Sequence, residues 1–260
     1  MTNTQASRMA MLLYVTLLAL CTCATPLMAG SLLVLEGNLD AFRYGGENWK
    51  TFSGYLDTET SNQITVTSDL SNLTEMLQYD AILVEIRYGY SFSETEVQNL
   101  KDYIETGRRV ALVGDNYLSF TPWNKQLLDI VGGSVAGDFD ANVEGTFAVT
   151  AVHPLTDGVD EVHVVSAAIM IGGTSLFEQN FAALWGDELN VLVILDSNAF
   201  DDDYVSWANN TRFAQNLAKW LATDFQEPVS TVVPSPAAGM ASMLGLGLVA
   251  VSTIRRRRSR

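Results

Sequence analysis

The chain has 260 residues, with 15 Lys and Arg against 30 Asp and Glu and a formal charge of -15 at pH 7. Such an excess of acid repels nucleic acid and anionic lipid surfaces, so no nucleic-acid partner is expected. Both cysteines, Cys21 and Cys23, fall in a leading segment expected to be removed, which excludes disulfides, thiolate metal sites and a cysteine nucleophile from the mature body.

Residues 1–29 carry one early cation, Arg8, then the apolar run 9–21, then small and polar residues ending at Ala29. This is the pattern of a secretory signal, too short for a comfortable membrane span, with cleavage expected after Ala29. A lipoprotein signal on Cys21 or Cys23 competes, but Leu20 and Thr22 stand where a small residue is needed. Without Arg8 and the five terminal arginines, 9 cations face 30 acids, a charge of -21. About 200 residues can bury one substantial core, so residues 30–225 are expected to form a single α/β domain.

SLLVLEG (31–37) reads as a first buried strand, QITVTSD (63–69) as a second, DAILVEI (80–86) as a third and RRVALVGD (108–115) as a fourth. Their near-continuous apolar runs suit strands covered on both faces. Between the third and fourth, residues 93–107 hold an S-x-x-E capping box at Ser93 and Glu96. Val97, Leu100 and Ile104 recur at helical spacing, and Gly107 suits a left-handed C-terminal cap. A strand, a capped helix and a strand point to an open, mostly parallel sheet.

A helix is expected over 123–131. Residues 132–165 then break into short β-prone stretches, GSVAGDF, EGTFAVT and DEVHVV, expected as an antiparallel extension of the same sheet. NVLVILDSN (190–198) reads as a last core strand, and 209–225 as a closing helix with Phe213, Leu217 and Leu221 on one face and Trp220 beside them.

The stretches YDAILVEI, YIETGRRVALVGD, HPLTDGV (153–159), VLVILDSN and NTRFAQNLAKWLA together resemble the class I glutamine-amidotransferase-like fold of trehalose-utilisation-type proteins. The resemblance implies helices on both faces of a flavodoxin-like sheet. Family amidotransferases place a cysteine at a strand-to-helix elbow, whereas this chain has Asp115-Asn116 after the strand, so glutamine hydrolysis by that route is excluded.

In an open parallel sheet, ligands bind beyond the carboxyl ends of the strands. Those ends supply Glu36, Glu85, Asp115, Asn116, Asp196 and Asn198 as candidate ligand-binding residues. They could hold a hard cation or sugar hydroxyls, or serve only as caps and turns. Asp201, Asp202 and Asp203 invite a calcium site but lack the EF-hand frame, and no other cofactor is implied. His153 and His163 show no zinc-hydrolase spacing, and no G-x-S-x-G or phosphate-loop motif occurs. RYGYSF (87–92) with Trp49, Tyr55, Trp123 and Trp207 offers either a sugar platform or ordinary core.

Residues 226–236 read as a linker, 237–254 as an uncharged run of 18 residues, roughly 27 Å as a helix and enough to span a bilayer, and 255–260 as a basic cytoplasmic stub. Val233, Pro234, Ser235 and Pro236, the apolar helix, and Arg255, Arg256, Arg257 and Arg258 in this order resemble the PEP-CTERM sorting signal, with Ser235 where the usual core has Glu. The resemblance implies export machinery and an exosortase-type transpeptidase as partners, with the membrane engaged until the tail is removed. A permanent anchor is the alternative.

The combined expectation is an exported, surface-sorted, non-catalytic binding or scaffold protein of the envelope or extracellular matrix, with a matrix glycan or protein as partner. The alternative is an extracellular carbohydrate-active hydrolase or lyase using the strand-end carboxylates. Two of these acids about 5 to 10 Å apart in a cleft would suit that chemistry.

Overall fold

The computed structural model describes residues 30–137 and 142–225. The expected signal (1–29), the expected linker and sorting motif, the expected 237–254 span and the basic stub lie outside the described residues. Among those described, no helix is long and apolar enough to cross a membrane.

Strand β1 (Leu32–Leu35) is buried at every position. Helix α1 (Lys50–Glu59) follows, then β2 (Ile64–Thr67), the short α2 (Leu73–Met76) and β3 (Ala81–Val84). Helix α3 (Glu94–Glu105) leads into β4 (Arg109–Val113) and helix α4 (Tyr117–Val131). The short strands β5 (Ser134–Val135), β6 (Val143–Ala148), β7 (Glu161–Ala167), β8 (Met170–Ile171) and β9 (Thr174–Ser175) come next. The chain closes with β10 (Ala182–Trp185), β11 (Val191–Ile194) and α5 (Asn210–Leu221).

Seven strands form one sheet in the order β2-β1-β3-β4-β11-β10-β9. The first five run parallel, while β10 and β9 add antiparallel. This is the expected open, mostly parallel α/β sheet with an antiparallel extension. The extension comes from β9 and β10, however, and not from the stretches predicted for it. Strands β6 and β7 pair only with each other, and β5 with β8, as separate two-stranded ribbons.

Alternate residues of each central strand serve opposite layers, because successive side chains point to opposite faces. Leu32, Val34, Leu83, Val113 and Ile194 pack with Trp49, Phe52 and Leu56 of the α1 region and Phe213 and Leu217 of α5. Leu33, Leu35, Val84, Leu112 and Val193 pack with Leu100 and Tyr103 of α3 and Trp123 and Leu127 of α4. Strand β2 is an edge, with Val66 46% exposed, which accounts for its alternating rather than uniformly apolar sequence.

The capping box on α3 forms as expected: Ser93 Oγ accepts from Glu96 N at 3.2 Å, and Glu96 Oε2 accepts from Ser93 N at 2.9 Å. Gly107 has a φ of +83°, which an L side chain would adopt only with strain. Ser93→Ala is expected to lower folding stability by about 1 kcal/mol, seen as a lower urea midpoint at unchanged slope. Helix α4 starts at Tyr117, six residues before the predicted boundary, because Asn116 caps it and Pro122 is carried inside.

Candidate functional site

Strands β1, β3, β4 and β11 are neighbours running the same way, so the residues that follow them share one rim. The structure thereby brings together Glu36, Glu85, Asp115 and Asp196, one acid from each of four adjacent strands. Their environments differ.

Glu36 lies at the surface and pairs with Arg43 Nη1, whose other nitrogen is 3.4 Å from Asp40. Glu85 is fully buried. Its Oε2 accepts from Gly37 N at 2.8 Å, and its Oε1 from Tyr44 N. Gly37 has no room for a side chain, since a Cβ there would stand 2.7 Å from the Ile86 carbonyl oxygen. Burial outweighs these donors and pushes the Glu85 carboxyl up to about 7. Arg87, 4% exposed, ties the same corner by donating to the carbonyls of Glu36 at 2.8 Å and Ser68 at 3.0 Å.

Asp115 occupies the elbow after β4. Its Oδ1 accepts from Asn116 N at 2.6 Å and Asn116 Nδ2 at 2.8 Å, and its Oδ2 accepts from the Ser197 hydroxyl. Asn124 of α4 clasps the Asp115 backbone from both sides, receiving its N–H at 3.1 Å and donating to its carbonyl at 2.6 Å. Asp196 is fully buried, accepting from Val165 N and Asn198 N at 3.0 Å each. Burial raises both aspartates, and the Asp115 charge raises Asp196 further. Asn198 Nδ2 donates to the Val165 carbonyl at 3.0 Å, so Asp196 and Asn198 together fix β7 onto the end of β11. Ser166, which follows Val165, has a φ of +66°, a strained conformation for a non-glycine residue.

The rim therefore collects its carboxylates as an acidic row beneath the loops. Each buried acid accepts donors from the backbone or hydroxyls of neighbouring loops. A buried carboxylate is tolerated only with such partners.

No protein-family model and no curated protein matches the chain. Solved structures do. The mmIFT52 N-terminal domain matches with a TM-score of 0.57 at 13% identity, over 76% of this chain and 99% of that one. A protein assigned to GMP synthase from Thermoplasma acidophilum is similar at a TM-score of 0.48 and 10% identity, over 74% of this chain and 92% of its own. A ThuA-like protein from Bacteroides uniformis is similar at 0.45 and 11%, over 76% and 93%. At these identities the likeness is one of fold.

The 201–203 loop is used structurally. Asp201, 3% exposed, accepts from Asn48 Nδ2 at 3.0 Å and Asp203 N at 2.9 Å, closing a turn. Asp202 Oδ1 accepts from Thr51 N at 2.9 Å, so it caps the first turn of α1 from a distant part of the chain. Asp203 is exposed. Among the described residues no three His, Cys, Asp or Glu side chains are placed to hold a metal ion.

The histidines sit apart. His153 caps the turn Pro154–Thr156, its Nδ1 accepting from Leu155 N at 3.2 Å, and its ring meets Trp220 edge-on. His163 lies on β7 against Trp207, ring centroids 4.7 Å apart. Of the aromatics singled out in the sequence, Trp49 and Trp123 are core, whereas Tyr88 and Trp207 are 59% and 47% exposed. Tyr88 is held by a reciprocal pair of bonds with Asn38, whose Oδ1 accepts from Tyr88 N and whose Nδ2 donates to Tyr88 O. Sequence reasoning missed Gly37, Tyr44, Asn124 and Ser197 as partners of the acids. Gly37, as the first glycine after a buried strand, was the one legible signal of close approach.

Proposed function

We propose that the chain is an exported, surface-sorted, non-catalytic binding or scaffold protein of the cell envelope or extracellular matrix. The observation that carries the non-catalytic part is the state of the rim. Glu85, Asp115 and Asp196 accept bonds from the loops above and beside them, and an acid spent on backbone donors is a poor proton shuttle. The elbow that would carry a nucleophile in an amidotransferase carries Asp115, engaged by Ser197 and Asn116.

The sorting part rests on the sequence of the tail, where the 233–236 motif, the apolar run and the arginine cluster follow one another in the PEP-CTERM order. An acidic body suits an extracellular setting, where charge keeps a protein soluble and dispersed. One observation favours the hydrolase alternative: a carboxyl raised to about 7, as Glu85 is, has the value of a general acid at neutral pH.

Intact mass of the protein taken from its native envelope tests the sorting. Loss of the chain beyond the 233–236 motif is expected. Retention of residues 255–260 overturns processing and leaves a membrane anchor in its place.

A further inference from the structure

At the opposite end of the sheet from the acidic rim, where β4 begins and α5 ends, lies a concavity of about 830 Å³. This is within the range of small-molecule sites, roughly 300–1,000 Å³. Its lining mixes the apolar Val149, Val152 and Val159 with Arg109, Lys219, His153 and Asp157, and the buried Trp220 ring beside them lies under the Arg109 guanidinium and edge-on to His153.

Its charge is out of keeping with the rest of the molecule. Between the two processing segments there are 9 cations against 30 acids, yet Arg109 and Lys219 both line this pocket and Arg212 borders it at Gly158. Arg212 is paired with Asp157 at 3.1 Å. Arg109 and Lys219 have no carboxylate within ion-pair distance among the described residues.

Arg109 Nη1 donates to the carbonyls of Trp220 at 3.1 Å and Thr223 at 2.9 Å. Those carbonyls lie at and just beyond the end of α5 and would otherwise repel an anion, so Arg109 offsets them, its guanidinium standing 5.8 Å from the Trp220 ring centroid. Asp80, the acid whose charge acts on Arg109, is already bonded to Ser31 at 2.8 Å and to Phe225 N at 3.1 Å. Because His153 Nδ1 accepts the Leu155 N–H, the neutral ring carries its proton on Nε2 as a further donor. Asn216, 6% exposed, is anchored through Nδ2 to the carbonyls of Leu155 and Asp157, leaving Oδ1 as an acceptor on the pocket lining.

Two cations without an ion-pair partner suit an anion, the valine surface with exposed Val152 suits an apolar face, and a fixed donor and acceptor suit hydroxyls. We infer that this pocket binds an acidic sugar of the uronate class, its carboxylate at Arg109 and Lys219 and its ring against Val149 and Val152. The site gives the binding reading above a ligand class and rests on that reading.

The test is a calorimetric titration of the full chain with digalacturonate, galactose and inorganic phosphate, with Trp fluorescence followed in parallel. Saturable binding of digalacturonate, no binding of galactose, and a loss of at least about tenfold in Lys219→Glu are expected. Lys219 is exposed in the last turn of α5, so this variant is expected to stay folded, with its thermal midpoint lowered only slightly by the acid at the helix end. Arg109→Gln is expected to lose more affinity, and its fold is checked separately because Arg109 also holds the end of α5. Equal binding by wild type and Lys219→Glu overturns the site. So does phosphate binding as tightly as digalacturonate, which would reduce it to a plain anion site. Binding of other glycans with no response to digalacturonate overturns this site alone and leaves the binding reading standing.

Discussion

Replacing Trp49 with alanine is expected to lower folding stability by about 3–5 kcal/mol, enough to unfold much of the population of a marginally stable domain. Trp49 is fully buried and sits edge-on to both Phe52 and Phe200, ring centroids 5.7 and 5.9 Å away, with Phe52 and Phe200 stacked at 4.6 Å. Its Nε1 donates to the Ser197 carbonyl at 3.2 Å. Truncation therefore empties a large cavity and also loosens the segment that presents Ser197 to Asp115. Urea unfolding followed by far-UV circular dichroism checks the magnitude. A loss below about 1 kcal/mol would mean that the loop before α1 collapses into the space without penalty.

The second large effect is a dependence of stability on pH that runs opposite to the usual behaviour of carboxylates. Glu85 rises from its ordinary value of 4.5 to about 7. Between those values the folded chain holds a proton that the unfolded chain has released, so the folded state binds more protons and stability falls as pH rises. The stabilisation is complete below pH 4.5 and is lost on passing pH 7. For Glu85 alone the change is on the order of 3 kcal/mol. Asp115 and Asp196 are raised as well and act in the same direction. His153 is lowered, chiefly by burial, and so acts in the opposite direction, losing stability as pH falls. Thermal midpoints measured from about pH 5 to pH 8 are expected to decline, and Glu85→Gln is expected to flatten much of that decline. A midpoint that rises steadily over this range would show that the buried acids are ionised in the fold.

The parts of the fold legible in the sequence are those set by local pattern. Strands β1, β3 and β11 are uniformly apolar because both of their faces are covered, and α3 announces itself through Ser93, Glu96 and a three-to-four-residue repeat of apolar positions. Helix α1 was not legible: KTFSGYLDTE is polar on average, contains Gly54, and has its first turn capped by Asp202 from the far end of the chain. The ribbon of β6 and β7 was legible as strands but not in its pairing, since nothing in 143–148 or 161–167 distinguishes a private partner from the edge of a larger sheet.

The candidate site divides in the same way. That Glu36, Glu85, Asp115 and Asp196 follow parallel strands could be read from apolar runs ending in acids, and adjacency in the sheet then assembles them on one rim. Whether such acids face solvent or are sealed depends on the donors that reach them, and these come from afar. Gly37 and Tyr44 bond Glu85 across 48 and 41 residues, and Ser197 bonds Asp115 across 82. No spacing rule carries that information. The same holds for the pocket under α5, where Arg109 and Lys219 are 110 positions apart and line one concavity because α5 packs back over β4.

The claim that the rim carboxylates hold the fold and do no acid–base chemistry is tested most directly by incubating the full chain with neutral and acidic polysaccharides and measuring new reducing ends alongside the bound fraction. Polysaccharide retained by the protein with no reducing ends above background is the predicted result. Release of reducing ends that disappears in Glu85→Gln would contradict it and identify the rim as an active site.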